Sequence, residues 1–147
     1  MQLLLAADHA GFALKEKLIP LLVKRGYEVC DFTPKYKADD DYPKVANELA
    51  TSLKSLKSVK SDDKHGILIC GSGVGVCIAA NRHKGIRAMD GHDVNEVKLA
   101  REHNDVNVLC LSGWKTKPAD ALKLIDVFLK TKASPAARHK RRVKQLG

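Results

Sequence analysis

Residues 66–76 read Gly66-Ile67-Leu68-Ile69-Cys70-Gly71-Ser72-Gly73-Val74-Gly75-Val76. Four consecutive apolar residues, 67–70, end in a turn with three glycines, and a helical pattern begins at Val76. A short unbroken apolar run is the signature of a strand covered on both faces. Glycines directly after it let the backbone turn sharply into the next helix and come close to whatever lies above the strand end. The order is therefore strand, tight turn, helix.

The same order recurs along the chain. Apolar runs predict strands at residues 3–7, 27–32, 86–89 and 106–111. Between them, apolar residues at spacings of three and four predict helices at 12–25, 42 to about 59, 76–82, 94–103 and 118–130, with a short basic helix at 139–146. The Lys/Ser-rich stretch 51–64 reads as a solvated surface extension of the second helix. Five strands alternating with helices imply a three-layer α/β/α sandwich around a five-stranded parallel, Rossmann-like sheet. Residues 1–147 form one domain in this reading, with a basic C-terminal helix or tail from about 131. In such sheets ligands bind at the carboxyl ends of the strands. Here those ends carry Asp8-His9, Cys70-Gly71-Ser72, Met89-Asp90 and Ser112-Gly113-Trp114.

Composition bounds the function. The chain has 147 residues, 44% of them apolar and 29% charged, which is ordinary for a soluble globular protein. There is no run of 18 apolar residues and no basic, apolar leader pattern at the start. Four cysteines, Cys30, Cys70, Cys77 and Cys110, are scattered without a CxxC pair, so reduced thiols and a cytoplasmic location are expected. Their spacing fits no structural zinc site. The formal net charge is +9, and it is concentrated: residues 130–147 contain seven Lys and Arg and no acid. A nearly neutral body with a basic end suits nucleic acid, a membrane surface or a small phosphate ester.

Several residues at strand ends have two readings. The Gly71, Gly73 and Gly75 loop is either an anion cradle at a helix N-terminus or merely a tight turn; it is neither a dinucleotide fingerprint nor a Walker loop. Cys70 is either a thiolate favoured by the helix start or a small buried apolar residue. Cys30, Cys77 and Cys110 read as small apolar residues in strand or helix patterns. His9 and His103 can move protons near neutral pH or serve as turn residues; His65, His83 and His92 read as surface or cap positions. Ser72 lacks the glycine two residues before it that a nucleophile elbow requires. Arg138 and Arg142, four apart, share a helix face and can clamp one phosphate, or belong to a solvated terminus.

Taken together, the blocks are recognisable. They are Asp8-His9-Ala10-Gly11-Phe12, Asp41-Tyr42-Pro43, Gly66 through Gly75, Ile78-Ala79-Ala80-Asn81, Gly85-Ile86-Arg87-Ala88, Arg101 through Leu109, and Arg138-His139 followed by Arg142-Val143. In this order they resemble the B-type ribose-5-phosphate isomerases, within the sugar-phosphate isomerase family that also holds the galactose-6-phosphate isomerase subunits. The resemblance covers nearly the whole chain. It implies metal-free, cofactor-free aldose–ketose isomerisation of a phosphorylated sugar, as in the pentose phosphate pathway. The expected reaction is ribose 5-phosphate to ribulose 5-phosphate through a cis-enediolate. One branch of the family places a cysteine base at the position of Cys70. Another uses a glutamate at the position of Val76. No acid lies in this loop, which leaves Cys70 as base and Ser72 as its helper.

The resemblance further assigns ring opening to His103, substrate binding to Asn104, phosphate binding to Arg138 and Arg142 with His9, and sugar contacts to Asp8 and Tyr42. Backbone N–H groups of Gly71, Gly73 and Gly75 would hold the enediolate oxygen. It implies a homodimer, or a tetramer, with sites shared between subunits. Trp114 departs from the pattern, since many relatives carry a phosphate-binding arginine there. That leaves open a preference for a six-carbon sugar phosphate, or binding without turnover. A nucleic-acid-binding module is the rival class, but at 5% aromatic residues the chain lacks stacking platforms. Neither nucleic acid nor a membrane is therefore expected as a partner.

Overall fold

The computed structural model describes residues 1–55 and 64–147. The elements follow in the order β1 (Gln2–Ala7), α1 (His9–Lys24), β2 (Glu28–Asp31), α2 (Tyr42–Ser55), β3 (Lys64–Cys70), α3 (Val74–Ala80), β4 (Ala88–Asp90), α4 (Val94–Asn104), β5 (Val108–Ser112), α5 (Pro118–Lys130) and α6 (Ala137–Leu146). The strands form one sheet in the order β2-β1-β3-β5-β4, and every pairing is parallel. This is the expected α/β architecture.

Side chains alternate across a strand, and the sheet separates two cores accordingly. Leu3, Leu5, Ala7, Ile67, Ile69, Leu109 and Leu111 pack with Leu14, Leu18 and Leu22 of α1, Val97 of α4, and Ala121, Leu124, Ile125 and Phe128 of α5. Leu4, Ala6, Leu68, Cys70, Val108 and Cys110 pack with Val45, Ala46, Leu49 and Leu53 of α2 and Val76 and Ala80 of α3. Covering helices on both faces explain why the central strands read as unbroken apolar runs.

The chain moves outward from β1 to β2, then returns across β1 to β3. The order of strands reverses there, which opens a crevice at their carboxyl ends. Two close backbone approaches shape that crevice. A Cβ on Gly11 would fall 2.6 Å from the carbonyl carbon of Ile69 and closer still to its oxygen. A Cβ on Gly113 would be 2.8 Å from the Cα of Gly11. The first turn of α1, the end of β3 and the turn after β5 therefore touch through backbone alone.

Some expectations shift. The expected extension of α2 falls on residues 56–63, outside the described residues. β4 begins later than expected, because Ile86 and Arg87 belong to the connection; Arg87 donates to the carbonyls of Asn104 (3.0 Å) and Asp105 (2.8 Å). His65, expected at the surface or as a cap, is buried. β3 starts before the apolar run, so His65 points into the α5 core and meets Phe128 edge-on, with ring centroids 5.1 Å apart. Cys30, expected as an apolar filler, is exposed, because α2 packs over β1 and β3 and β2 is the outermost strand on that side. Cys110 is buried as expected, and Cys77 is partly so.

Gly11→Ala should destabilise the fold by about 1–3 kcal/mol, the usual cost of overpacking, because the methyl group meets the main chain of Ile69 as well as its Cγ2. Urea unfolding monitored by circular dichroism measures this. A loss below about 0.5 kcal/mol, the scale of a neutral surface change, would mean that α1 can slide away from Ile69.

Candidate active site

Strand pairing brings two expected residues, Asp8 and Cys70, to neighbouring strand ends. The Asp8 N–H donates to the Ile69 carbonyl (3.1 Å), and Cys70 lies beside Ser112 in the β3–β5 register. Asp8 caps α1: its Oδ1 accepts from the N–H groups of Ala10 and Gly11, both at 3.0 Å. Burial pushes its carboxyl group above the usual value, against the lowering effect of the Gly11 N–H.

The glycine loop is built around the sulfur of Cys70. Gly73 has φ of +89° and stands as N-cap of α3, a conformation that favours glycine. Its N–H donates to Cys70 Sγ (3.2 Å). The loop is held from β5 at three points: Gly113 N–H to the Cys70 carbonyl (2.8 Å), Trp114 N–H to the Gly71 carbonyl (3.2 Å), and Ser112 Oγ to the same Gly71 oxygen (2.8 Å). Ser72 is exposed at the crest, and its Oγ accepts from the Val74 N–H (3.3 Å). Tyr42, at the start of α2, lies over Gly75 so closely that a Cβ there would be 2.7 Å from its ring. Val76, the position where relatives with a glutamate base would place it, is fully buried.

His9 stands beside this loop. Its N–H and its Nδ1 both meet Asp40 Oδ1, at 2.8 and 2.9 Å. That carboxylate raises the pKa of the imidazole above its ordinary value. Asp40 itself belongs to the wall of a cleft of about 420 Å³ lined by Phe32, Pro34, Asp39, Asp41 and Lys44. This cleft adjoins the Cys70 end rather than containing it.

The remaining expected residues lie elsewhere. His103 and Asn104 end α4, where Asp105 in the left-handed region (φ +47°) turns the chain toward β5. Arg138 and Arg142 project from α6, whose approach is fastened to α4 by Ser134 N–H to the Glu102 carbonyl (2.8 Å). Both features sit at the amino ends of the strands. A strand of five residues, the length of β5, spans roughly 16 Å at about 3.3 Å per residue. Within one chain, therefore, His103, Asn104, Arg138 and Arg142 are not joined to Cys70. The carboxyl-end group comprises Asp8, His9, Tyr42, Cys70, Gly71, Ser72, Gly73, Gly75 and Trp114.

Sequence reasoning gave no role to four contributors. Asp40 orients His9 from a loop remote in sequence. Ser112 ties down Gly71. Asp90, at the end of β4, fills the space a Cβ on Gly73 would need. His139 stacks on His103 with ring centroids 4.3 Å apart and planes 9° from parallel. Asp90 and Ser112 were legible as polar residues at strand ends and His139 as the residue between the two arginines of α6, whereas Asp40 left no local trace. Among the described residues no three His, Cys, Asp or Glu side chains converge to hold a metal ion, and no helix is long and apolar enough to cross a membrane.

His139 is buried, and its Nδ1 has no hydrogen-bond partner among the described residues. Burial first, then His103, Arg138 and Arg142, lower its pKa below the ordinary value, and Glu102 offsets this in part. The folded chain thus keeps the ring neutral where the unfolded chain protonates it, near pH 6.5. The resulting stability is complete above that pH and is lost as the pH falls below it. His139→Phe keeps an aromatic stack and should flatten the decline in urea midpoint between pH 7.5 and 5.5, both roughly one unit from the histidine value. An unchanged slope would assign the decline to other groups.

Comparison with known proteins places this geometry. The ribose/galactose isomerase family model matches residues 3–146. A probable ribose-5-phosphate isomerase B of Mycoplasma genitalium is 40% identical over 143 residues, 97% of this chain and 91% of the relative. Ribose-5-phosphate isomerase B of Escherichia coli is 36% identical over 139 residues, 95% of this chain and 89% of the relative. The crystal structure of a ribose 5-phosphate isomerase from Thermotoga maritima superimposes with a TM-score of 0.90 at 37% identity, covering 99% of this chain and 96% of that one. That of the M. genitalium isomerase, with ribulose 5-phosphate bound, gives a TM-score of 0.88 at 38% identity, covering 99% and 93%. With the match running through both the glycine loop and the basic helix α6, the chain belongs to the ribose/galactose isomerase family.

Proposed function

We propose that the protein is an aldose–ketose isomerase that interconverts ribose 5-phosphate and ribulose 5-phosphate by proton transfer, with Cys70 as the base. The observation that carries this reading is the Cys70 sulfur itself. It lies at the carboxyl end of a central strand, is gripped by the Gly73 N–H, and is surrounded by a loop pinned from β5. The relatives' names supply the substrate.

In this mechanism the Cys70 thiolate removes the proton from C2 of the open aldose. The C2–H electron pair forms a C1–C2 double bond, and the carbonyl electrons move onto O1. The cis-enediolate oxygens face those N–H groups of the Gly71–Gly75 turn that are not already given to Cys70 Sγ and Ser72 Oγ, and these supply preorganised donors for the developing charge. Cys70 then returns the proton to C1 while the O2 hydroxyl proton passes to O1, with Ser72 as helper. The ketose results with no net change in atoms or electrons. Asp8 and Tyr42 contact the sugar, and His9, biased toward its cation by Asp40, contributes to phosphate binding.

The ring-opening and phosphate groups come from a second copy. His103 and Asn104 of the partner subunit open and bind the sugar, and Arg138 and Arg142 of the partner subunit clamp the phosphate with paired hydrogen bonds. The distance between strand ends within one chain supports this arrangement, since a single crevice cannot reach both groups. A two-fold dimer supplies two complete sites, each drawing on both chains.

Cys70→Ala should lower turnover of ribose 5-phosphate by about 10²–10⁴-fold, the usual loss for a general base, while Cys30→Ala, at the exposed sheet edge, should keep it. Wild-type turnover by a folded Cys70→Ala protein would defeat the mechanism. Mixing inactive Cys70→Ala and His103→Ala proteins tests the shared site. After subunit exchange half the dimers are hybrids with one intact site each, so roughly a quarter of wild-type activity should return. No recovery despite demonstrated exchange would place both residues in one chain's site.

A further inference from the structure

Trp114 is the chain's single tryptophan, and it is 74% exposed. Tryptophan is a large, mostly apolar side chain that folding normally covers. Its exposure here does not come from a loose loop. The main chain around it is tied to the site at three points: Trp114 N–H to the Gly71 carbonyl, Gly113 N–H to the Cys70 carbonyl, and Lys115 N–H to Ser112 Oγ (3.1 Å). The indole rests on Gly71, where a Cβ would lie 2.7 Å from its Cε2 and Cη2 atoms. Gly71 is thus the seat on which the ring sits. One part of the indole is held by the loop that carries Cys70, and within one chain the rest is open at the same strand ends, where the proposed shared site forms.

A rigid, exposed aromatic face beside a polar crevice has a well-defined complement. The C–H bonds on one side of a sugar form an apolar patch, while its hydroxyls point outward to polar groups. An indole provides a broad apolar surface and a single N–H donor. It adds no positive charge for a phosphate. On the reading that this is an isomerase of sugar phosphates, we infer that Trp114 contacts the substrate directly and stacks on the C–H face of the aldose carbon chain, making it a specificity residue for the sugar rather than for the phosphate.

Because no other tryptophan is present, its fluorescence reports on this one position. The titration uses the Cys70→Ala protein, which holds the sugar without turning it over. Ribose 5-phosphate should shift the emission to the blue and protect it from acrylamide, saturably, and inorganic phosphate at the same concentrations should do neither. Unchanged emission while calorimetry records ribose 5-phosphate binding overturns the inference and leaves the isomerase reading intact. The same response to inorganic phosphate overturns it as well. If wild-type protein neither binds nor turns over the sugar phosphate, the isomerase reading fails and this inference with it. Steady-state kinetics gives the second arm. Trp114→Ala should raise KM for ribose 5-phosphate about tenfold, the effect of losing one apolar contact of this size, with kcat unchanged, and Trp114→Phe should recover most of the loss. An unchanged KM in a folded Trp114→Ala protein overturns the assignment.

Discussion

The rest of the site depends on one constraint: the two peptides that follow Cys70 are bound from the end of β5 and the turn after it. The Cys70 carbonyl accepts from Gly113, and the Gly71 carbonyl accepts from both Trp114 and Ser112. These bonds continue the β3–β5 ladder for one residue past the strand end. They determine where the sulfur emerges, and the Gly73 N–H then meets it from the other side. Each of these groups would be costly to leave unpaired in a buried position. The loop therefore has one low-energy arrangement. A sulfur held this way would need no reorganisation in the proposed role of base.

The same economy of space appears in the glycines. Gly11 and Gly113 allow main chain to rest on main chain, so three strand ends and a helix start converge within one crevice. Gly71 and Gly75 leave room for aromatic rings instead, Trp114 over the first and Tyr42 over the second. The pattern of glycines in the sequence thus encodes close approaches by four different elements, and the turn after β3 is only one of them.

Much of this was legible from residue patterns. Unbroken apolar runs identified the central strands, because helices cover both faces there. The glycine loop marked the turn from β3 into α3, and by itself it read equally as an anion cradle or as a tight turn. Shorter-range patterns were weaker guides at the margins. Cys30 looks like a core residue by its neighbours, and only strand order shows that β2 lies at the edge. His65 looks like a surface residue because the apolar run begins after it. Contacts between segments distant in sequence were not legible at all: Asp40 beneath His9, Asp90 against Gly73, and His139 against His103 follow from tertiary packing. The separation of His103 from Cys70 also has no local signature. It follows from all strands being parallel, which sends the end of α4 to the far side of the sheet.

The margins of the sheet carry a further consequence. The outermost strands, β2 and β4, have four and three residues, and they place Glu28, Asp31 and Asp90 there. Short, acid-bearing edges are poor templates for an incoming strand. Growth of the sheet from one molecule into the next is thereby disfavoured, and so are the open-ended stacks that such growth produces. The brevity of these two strands thus works against one particular route of association, edge-to-edge extension of the sheet.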